Sequence, residues 1–136
     1  MWDSESKDQP IRLDLHGLKV LVAEDEAIIA LDLELTLREL GCVVLPATST
    51  VAGALALLEA ERPDIALVDT ALADGSAVPL AQALAAAGIP FAVATGCDAD
   101  QLGDPALCAA PYLGKPYGSQ DLCTMLGRLS VSSRSA

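Results

Sequence analysis

The chain has 136 residues, 52% of them hydrophobic and 20% charged, and its 19 acids against 8 bases leave a net charge of −11. That length suits one domain with a real core, while the acidic balance and the 3% aromatic content argue against a phosphate-backbone binder, a base-stacking platform and a protein of anionic membrane surfaces. No run approaches the roughly 18 uninterrupted apolar residues of a membrane span, and the opening MWDSESKDQP lacks the basic start and apolar stretch of a secretory signal, so a cytoplasmic location is expected.

Residues 1–17 read as a polar lead-in, in which Trp2 and His16 carry no assigned chemistry. Val20–Ala23 is a short apolar run, a buried strand closed by three acids, Glu24, Asp25 and Glu26. The pattern predicts a helix over Glu26–Leu40, stopped by Gly41, and a second strand over Cys42–Pro46. An Ala/Leu helix follows over Thr50–Arg62 and ends before Pro63. Ile65–Val68 is a third strand and delivers Asp69 and Thr70. Ser76–Ala87 is a helix that tolerates Pro79 in its first turn, with Gly88 beyond its end. Phe91–Ala94 is a fourth strand leading to Thr95. Gly103 and Pro105 interrupt the next expected helix, Asp98–Leu107; Gly costs about 1 and Pro about 3 kcal/mol in a helix interior, so this unit is expected to be weak or broken. Tyr112-Leu113 is a short fifth strand before Lys115 in a Gly-Lys-Pro turn. Ser119–Leu129 is the last helix, with Ser119 as N-cap, and 131–136 is a Ser-rich tail expected to fray. Strands that alternate with helices imply an α/β, doubly wound parallel sheet covered on both faces. Cys42, Cys97, Cys108 and Cys123 show no CxxC or zinc spacing and read as small buried thiols.

The chemistry-bearing side chains gather at one kind of place. Glu24, Asp25 and Glu26 follow the first strand, Asp69 and Thr70 the third, Thr95 the fourth and Lys115 the fifth, all at carboxyl ends of parallel strands, where open α/β sheets bind ligands. Right-handed crossovers bring the first and third strands side by side, so the carboxylates converge near one lysine and one hydroxyl. Like charges held close need a cation between them, and hard oxygen donors in a small site suit Mg²⁺. A carboxylate beside Mg²⁺ and a lysine can act as a nucleophile toward a phosphoryl group, with Thr95 and Lys115 bonding its oxygens. Taken singly, each residue has a plainer reading: Asp25 as a helix-terminus acid, Asp69 as a loop residue, Thr95 as a strand end, Lys115 as a solvated surface lysine.

VLVAEDE, ALVDTALADG, AVATG and PYLGKP, in that order and at those strand ends, resemble the motifs of the receiver domain of bacterial two-component response regulators. The resemblance spans about Lys19 to Leu129, and PFAVATG also resembles a subset of single-domain receivers. It implies a flavodoxin-like (βα)5 domain over 18–130 with strand order 2-1-3-4-5, not a conventional enzyme. It implies that Asp69 accepts phosphate from a phosphohistidine of a histidine kinase or phosphotransfer protein. Mg²⁺ would be held by Glu24, Asp25, Asp69 and the Ala71 backbone carbonyl; Thr95 and Lys115 would bind the phosphoryl group, and Tyr112 would take the aromatic switch position. The sequence also departs from the family pattern. Glu24 stands where Asp is commoner, and its longer arm suggests contact with the metal through a water. Ala73 replaces a frequent Pro, so the loop after Asp69 is expected to be less rigid. Ala71 and Cys97 stand where residues tune aspartyl-phosphate lifetime, and the broken helix weakens the case for dimerisation, leaving a monomer or weak dimer.

In the first helix Ile29, Leu33, Leu37 and Leu40 form a core stripe. Ile28, Leu31 and Leu35 form a second, read either as the docking face for a helical phosphodonor or as residues covered by the neighbouring Ala-rich helix. Because few residues follow Leu129, a stand-alone regulator that signals by protein contact or drains phosphate from a relay is expected. Two alternatives remain at this point: a phosphorylation-independent adaptor, and a Mg²⁺-dependent phosphohydrolase, whose usual Asp-x-Asp is here Glu24-Asp25-Glu26 with no lid insertion. A flavin-binding site is disfavoured, because three acids after the first strand would repel a phosphate.

Overall fold

The computed structural model describes residues 15–95, 105–108, 110–115 and 118–135. Residues 1–14 of the expected lead-in, Cys97, and residues 98–104 of the expected broken helix lie outside the described residues. The elements run β1 (Lys19–Ala23), α1 (Ala27–Glu39), β2 (Val43–Val44), α2 (Val51–Ala60), β3 (Ile65–Asp69), β4 (Ala71–Leu72), β5 (Gly75–Ser76), α3 (Val78–Ala86), β6 (Phe91–Thr95), α4 (Pro105–Cys108), β7 (Tyr112–Gly114) and α5 (Ser119–Ser135).

Five strands pair in parallel in the order β2-β1-β3-β6-β7, the flavodoxin-like order 2-1-3-4-5 expected of the five foreseen strands. The three central strands are apolar except at their ends, at Lys19, Asp69 and Thr95, because both sheet faces are covered, and successive residues serve opposite faces. Val20, Val22, Ile65, Leu67, Ala92 and Ala94 pack with Leu33 and Leu37 of α1 and Leu122, Met125, Leu126 and Leu129 of α5. Leu21, Ala23, Ala66, Val68 and Val93 pack with Val51 and Ala54 of α2 and Leu80, Ala81 and Leu84 of α3. Each fully buried Leu or Val contributes roughly 1.5–3 kcal/mol, so these two layers hold the strand ends in fixed relation. Leu15 and Leu18 are already buried in the first layer.

Element boundaries shifted where local chemistry decides them. Glu26 has extended backbone and serves as the N-cap, so α1 begins at Ala27. Its C-terminal stop is Gly41, at φ +92°, a left-handed conformation glycine adopts without steric cost. At the edge of the sheet of the described residues β2 shrinks to Val43–Val44, where it pairs with β1. α5 runs past Leu129 to Ser135: Leu129 and Ser130 are buried, and the Ser130 hydroxyl donates to the Gly127 carbonyl. Where a helix was expected from Ser76, the chain first makes the antiparallel β4–β5 hairpin, with Ala71 opposite Ser76 and Leu72 opposite Gly75, and α3 starts at Val78. No helix of the described residues is long and apolar enough to cross a membrane.

Candidate functional site

Sheet register brings the site together. Ala23 pairs with Val68, Asp69 with Ala94, and Thr95 with Gly114. Continued one residue past Ala23, this register sets Glu24 level with Asp69 and Ala94, with Thr95 one residue and Lys115 two residues further along, so all four lie close together at the carboxyl edge. The side chain of Thr95 lies outside the described residues; its backbone ends β6 where the sequence reading put it.

Lys115 is the hub. Its ammonium donates to Glu24 Oε1 at 2.9 Å and to Asp69 Oδ2 at 3.2 Å. The other Glu24 oxygen, Oε2, accepts from the Glu26 backbone N–H at 3.1 Å. Asp69 Oδ1 accepts from the Thr70 N–H at 2.7 Å, which fixes the plane of that carboxylate. Carboxylate oxygens of Glu24, Asp25 and Asp69 all lie within 4.8 Å of one another, with Glu24 buried, Asp69 half-buried and Asp25 exposed. Glu24 is only 3% exposed, a rare place for an acid without a partner.

The electrostatics follow from that packing. Burial pushes the Glu24 carboxyl above the usual carboxylate range, and the Asp69 charge adds to the effect, while the Lys115 and Glu26 hydrogen bonds pull against it. Burial would lower the Lys115 ammonium, but its hydrogen bonds and charge contacts with Glu24 and Asp69 together outweigh this and hold it above the ordinary lysine value. The cluster is thus a pocket of negative charge with one built-in cation, and it presents a carboxylate, Asp69, with one oxygen pinned by backbone and the other beside an ammonium.

Around this cluster the other expected residues take definite places. Ala71 lies in β4, next to the turn that follows Asp69. Tyr112 is partly exposed, and its ring lies over Gly114, where an added Cβ would meet Cε2 at 3.4 Å. Ile28, Leu31 and Leu35 are exposed at 83%, 56% and 53%. The alternative in which the Ala-rich helix covers them does not hold: α2 packs on the opposite sheet face from α1. A cleft of about 390 Å³ joins the acids to this face, with Glu24 and Asp25 at one end and Ala27, Leu31 and Glu34 along α1. Cys42 is buried and free and Cys123 half-buried and free; burial, with a smaller contribution from Cys123, pushes the Cys42 thiol up to about 11.

One residue near the site had no role in the sequence reading. Asp74 at the tip of the β4–β5 hairpin accepts from the N–H groups of Val51 and Ala52 at 2.7 and 3.1 Å. The Asp74-Gly75 pair is a hairpin signal that could have located the turn, but nothing local points to α2.

No family model matches the chain. Among curated proteins it is 33% identical over 117 residues to the transcriptional regulatory protein PdtaR of Mycobacterium tuberculosis, covering 84% of this chain and 57% of that one; the chain spans little more than half the length of that relative. Among solved structures it matches SdrG from Sphingomonas melonis Fr1 at 33% identity and a TM-score of 0.69, covering 90% of this chain and 99% of that one. A response regulator receiver protein from Sinorhizobium medicae WSM419 matches at 27% identity and a TM-score of 0.74, over 88% and 99% of the two chains. The receiver domain of the sensor histidine kinase PA1611 from Pseudomonas aeruginosa PAO1, solved with a magnesium ion coordinated in its active site cleft, matches at 26% identity and a TM-score of 0.73, over 85% and 98%.

Proposed function

The chain belongs to the receiver domains of two-component response regulators, and on that premise we propose that it accepts a phosphoryl group onto Asp69 from a phosphohistidine of a sensor kinase or phosphotransfer protein. The observation that carries the reading is the Lys115 ammonium bonded to both Glu24 and Asp69, with Asp25 completing a compact carboxylate set.

The donor set fits Mg²⁺, a hard cation that takes carboxylate oxygens and keeps several waters; Glu24, Asp25, Asp69 and the Ala71 carbonyl would hold it. When bound, Mg²⁺ supplies positive charge that offsets the negative charge of the transferring group. The chain's own residues do the rest. An Asp69 oxygen forms a new O–P bond as the N–P bond of the phosphohistidine breaks, and the imidazole keeps the electron pair. The Thr70 N–H holds the carboxylate in orientation. Lys115 makes a charge-assisted bond to a phosphoryl oxygen, and the Thr95 hydroxyl bonds another. Tyr112, on the same edge, is the aromatic that responds to the new charge.

Ile28, Leu31 and Leu35 are the surface on which the donor helix docks, and their exposure beside the acidic cleft supports this. The reading makes the chain a cytoplasmic phosphoprotein, a monomer or weak dimer that acts through protein contacts rather than turnover of a substrate.

Intact-mass measurement after incubation with a small acyl phosphate tests it, with and without Mg²⁺, on the wild type and Asp69→Asn. The expected result is Mg²⁺-dependent addition of one phosphoryl group, absent in Asp69→Asn. No addition to the wild type, or addition that persists in Asp69→Asn, overturns the reading. A protein partner that binds Asp69→Ala as tightly as the wild type would favour the adaptor role.

A further inference from the structure

We infer that Asp74 is a positioning residue for the Asp69 chemistry, clamping the β4–β5 hairpin to the N-terminus of α2 and thereby fixing the backbone that follows the phosphoacceptor. The inference rests on the reading of Asp69 given above and adds a residue to it.

The clamp is complete at both ends. Asp74 Oδ1 accepts from the Val51 N–H at 2.7 Å and Oδ2 from the Ala52 N–H at 3.1 Å, so both carboxylate oxygens reach a segment more than twenty positions earlier in the chain. These donors belong to the first turn of α2 and have no partner within the helix. The next one, the Gly53 N–H, is already served by Thr50 Oγ1 at 2.9 Å. A negative charge is favoured at that end of a helix. The Ala73 N–H donates to the Ser49 carbonyl at 2.9 Å, so side chain and backbone hold the same hairpin tip to the same partner segment.

The hairpin needs such an anchor. It has only two residue pairs, Ala71 with Ser76 and Leu72 with Gly75, and a two-stranded ribbon is marginal by itself. Ala73 supplies none of the stiffness a proline would give. Yet this short ribbon carries the Ala71 carbonyl and follows directly on Thr70, whose N–H orients the Asp69 carboxylate. At its far end the Ala77 N–H returns to the Thr70 carbonyl at 3.0 Å, so movement of the tip reaches the site through a closed loop. Misplacement of a reacting group by a fraction of an ångström to an ångström lowers a rate by as much as about a hundredfold.

The test compares Asp74→Ala, Asp74→Asn and Thr50→Ala with the wild type, all in the full chain and at a temperature where each is folded. Three quantities are read: the rate of phosphorylation by a small acyl phosphate, the affinity for Mg²⁺ from amide chemical-shift titration, and hydrogen exchange of the hairpin amides. Asp74→Ala is expected to lower the rate about tenfold, weaken Mg²⁺ binding and speed exchange across Ala71–Ser76. Asp74→Asn, which keeps one acceptor oxygen, falls between. Thr50→Ala loses a cap of the same helix but not the clamp, so its rate and Mg²⁺ affinity stay at the wild-type values even if its melting temperature falls. Wild-type rate and affinity in Asp74→Ala overturn the positioning role alone. Equal losses in Thr50→Ala and Asp74→Ala also overturn it, since the effect then comes from weakening α2. A wild type that takes up no phosphoryl group overturns the reading of Asp69, and the positioning role with it.

Discussion

Leu31→Asp separates docking from folding, because Leu31 stands on α1 with 56% of its surface exposed. Full burial of a leucine is worth roughly 1.5–3 kcal/mol, so losing the covered half costs about 1 kcal/mol. Aspartate is a poorer helix former than leucine by about 0.5 kcal/mol. The folded chain should therefore lose about 1.5 kcal/mol, a fall of roughly 5 °C in melting temperature for a domain of this size. In the complex with a donor helix the loss is larger. The exposed half of Leu31 would no longer be covered, about 1–1.5 kcal/mol, and a carboxylate facing an apolar surface adds at least about 2 kcal/mol. Together they amount to about 3 kcal/mol, or roughly a hundredfold in transfer efficiency. The assay is the second-order rate of phosphotransfer from a phosphorylated histidine domain, set beside the rate with a small acyl phosphate that needs no docking surface. The first should fall roughly a hundredfold and the second should hold. Leu37→Asp, at a site with no exposure, serves as the reference for a core lesion and should unfold the chain. Equal loss with both donors, or unchanged transfer from the histidine domain, would refute the docking assignment.

Other outcomes follow from particular contacts. Gly53→Ala should destabilise the chain, although alanine normally favours a helix interior by about 1 kcal/mol over glycine, because its Cβ would run into the Thr48 hydroxyl and crowd that of Thr50; thermal melts of the two proteins decide the sign. Cys42, its thiol pushed up to about 11 by burial, should resist alkylation in the native state and react only on unfolding, with the half-buried Cys123 labelled before it; peptide mapping after timed alkylation reads this. The two backbone N–H groups hold the Asp74 carboxyl below the usual aspartate range. Its contribution to stability is then complete above the ordinary aspartate pKa and is lost as the pH falls through the lower native one. Asp74→Asn should flatten that part of the acid limb in melts recorded from neutral pH downward, and an unchanged limb would count against the clamp.

The sheet was legible because a covered parallel sheet leaves a coarse signature: apolar runs such as Val20–Ala23 and Ile65–Val68 separated by helices and ended by Gly41, Pro63 and Gly88. The site was legible for a related reason. Parallel strands all deliver their carboxyl ends to one edge, so Glu24, Asp69, Thr95 and Lys115 needed only the strand order to be placed together. Features set by contacts across the chain were not legible. The β4–β5 strands have two residues each, too short to show a period of two, and Asp74 finds its partners on another helix. The second apolar stripe of α1 was visible as a pattern, but its exposure depended on which face of the sheet α2 covers. The continuation of α5 to Ser135 begins with the buried Ser130, which a run of serines does not advertise.

Lys115 is the cation paired with the buried Glu24 carboxylate. Both Glu24 oxygens are engaged, one by the Lys115 ammonium and one by the Glu26 N–H, and the carboxylate is nearly out of reach of water. Lys115→Met leaves that anion with a single backbone donor. Removing one partner of a buried pair costs about 3–5 kcal/mol, and the lower end is expected because Lys115 and Asp69 keep some exposure, 17% and 14%. A divalent cation binding the carboxylates stabilises the folded chain by an amount that grows with the logarithm of its concentration over Kd. In the wild type it has to draw Glu24 away from a lysine already bonded to it; in Lys115→Met it meets no such competitor. Melts in chelator should therefore show the variant well below the wild type, and added Mg²⁺ should raise its melting temperature by more. If the variant matched the wild type in chelator, or if Mg²⁺ raised both by the same amount, Lys115 would not be the cation that holds this cluster together before metal binds.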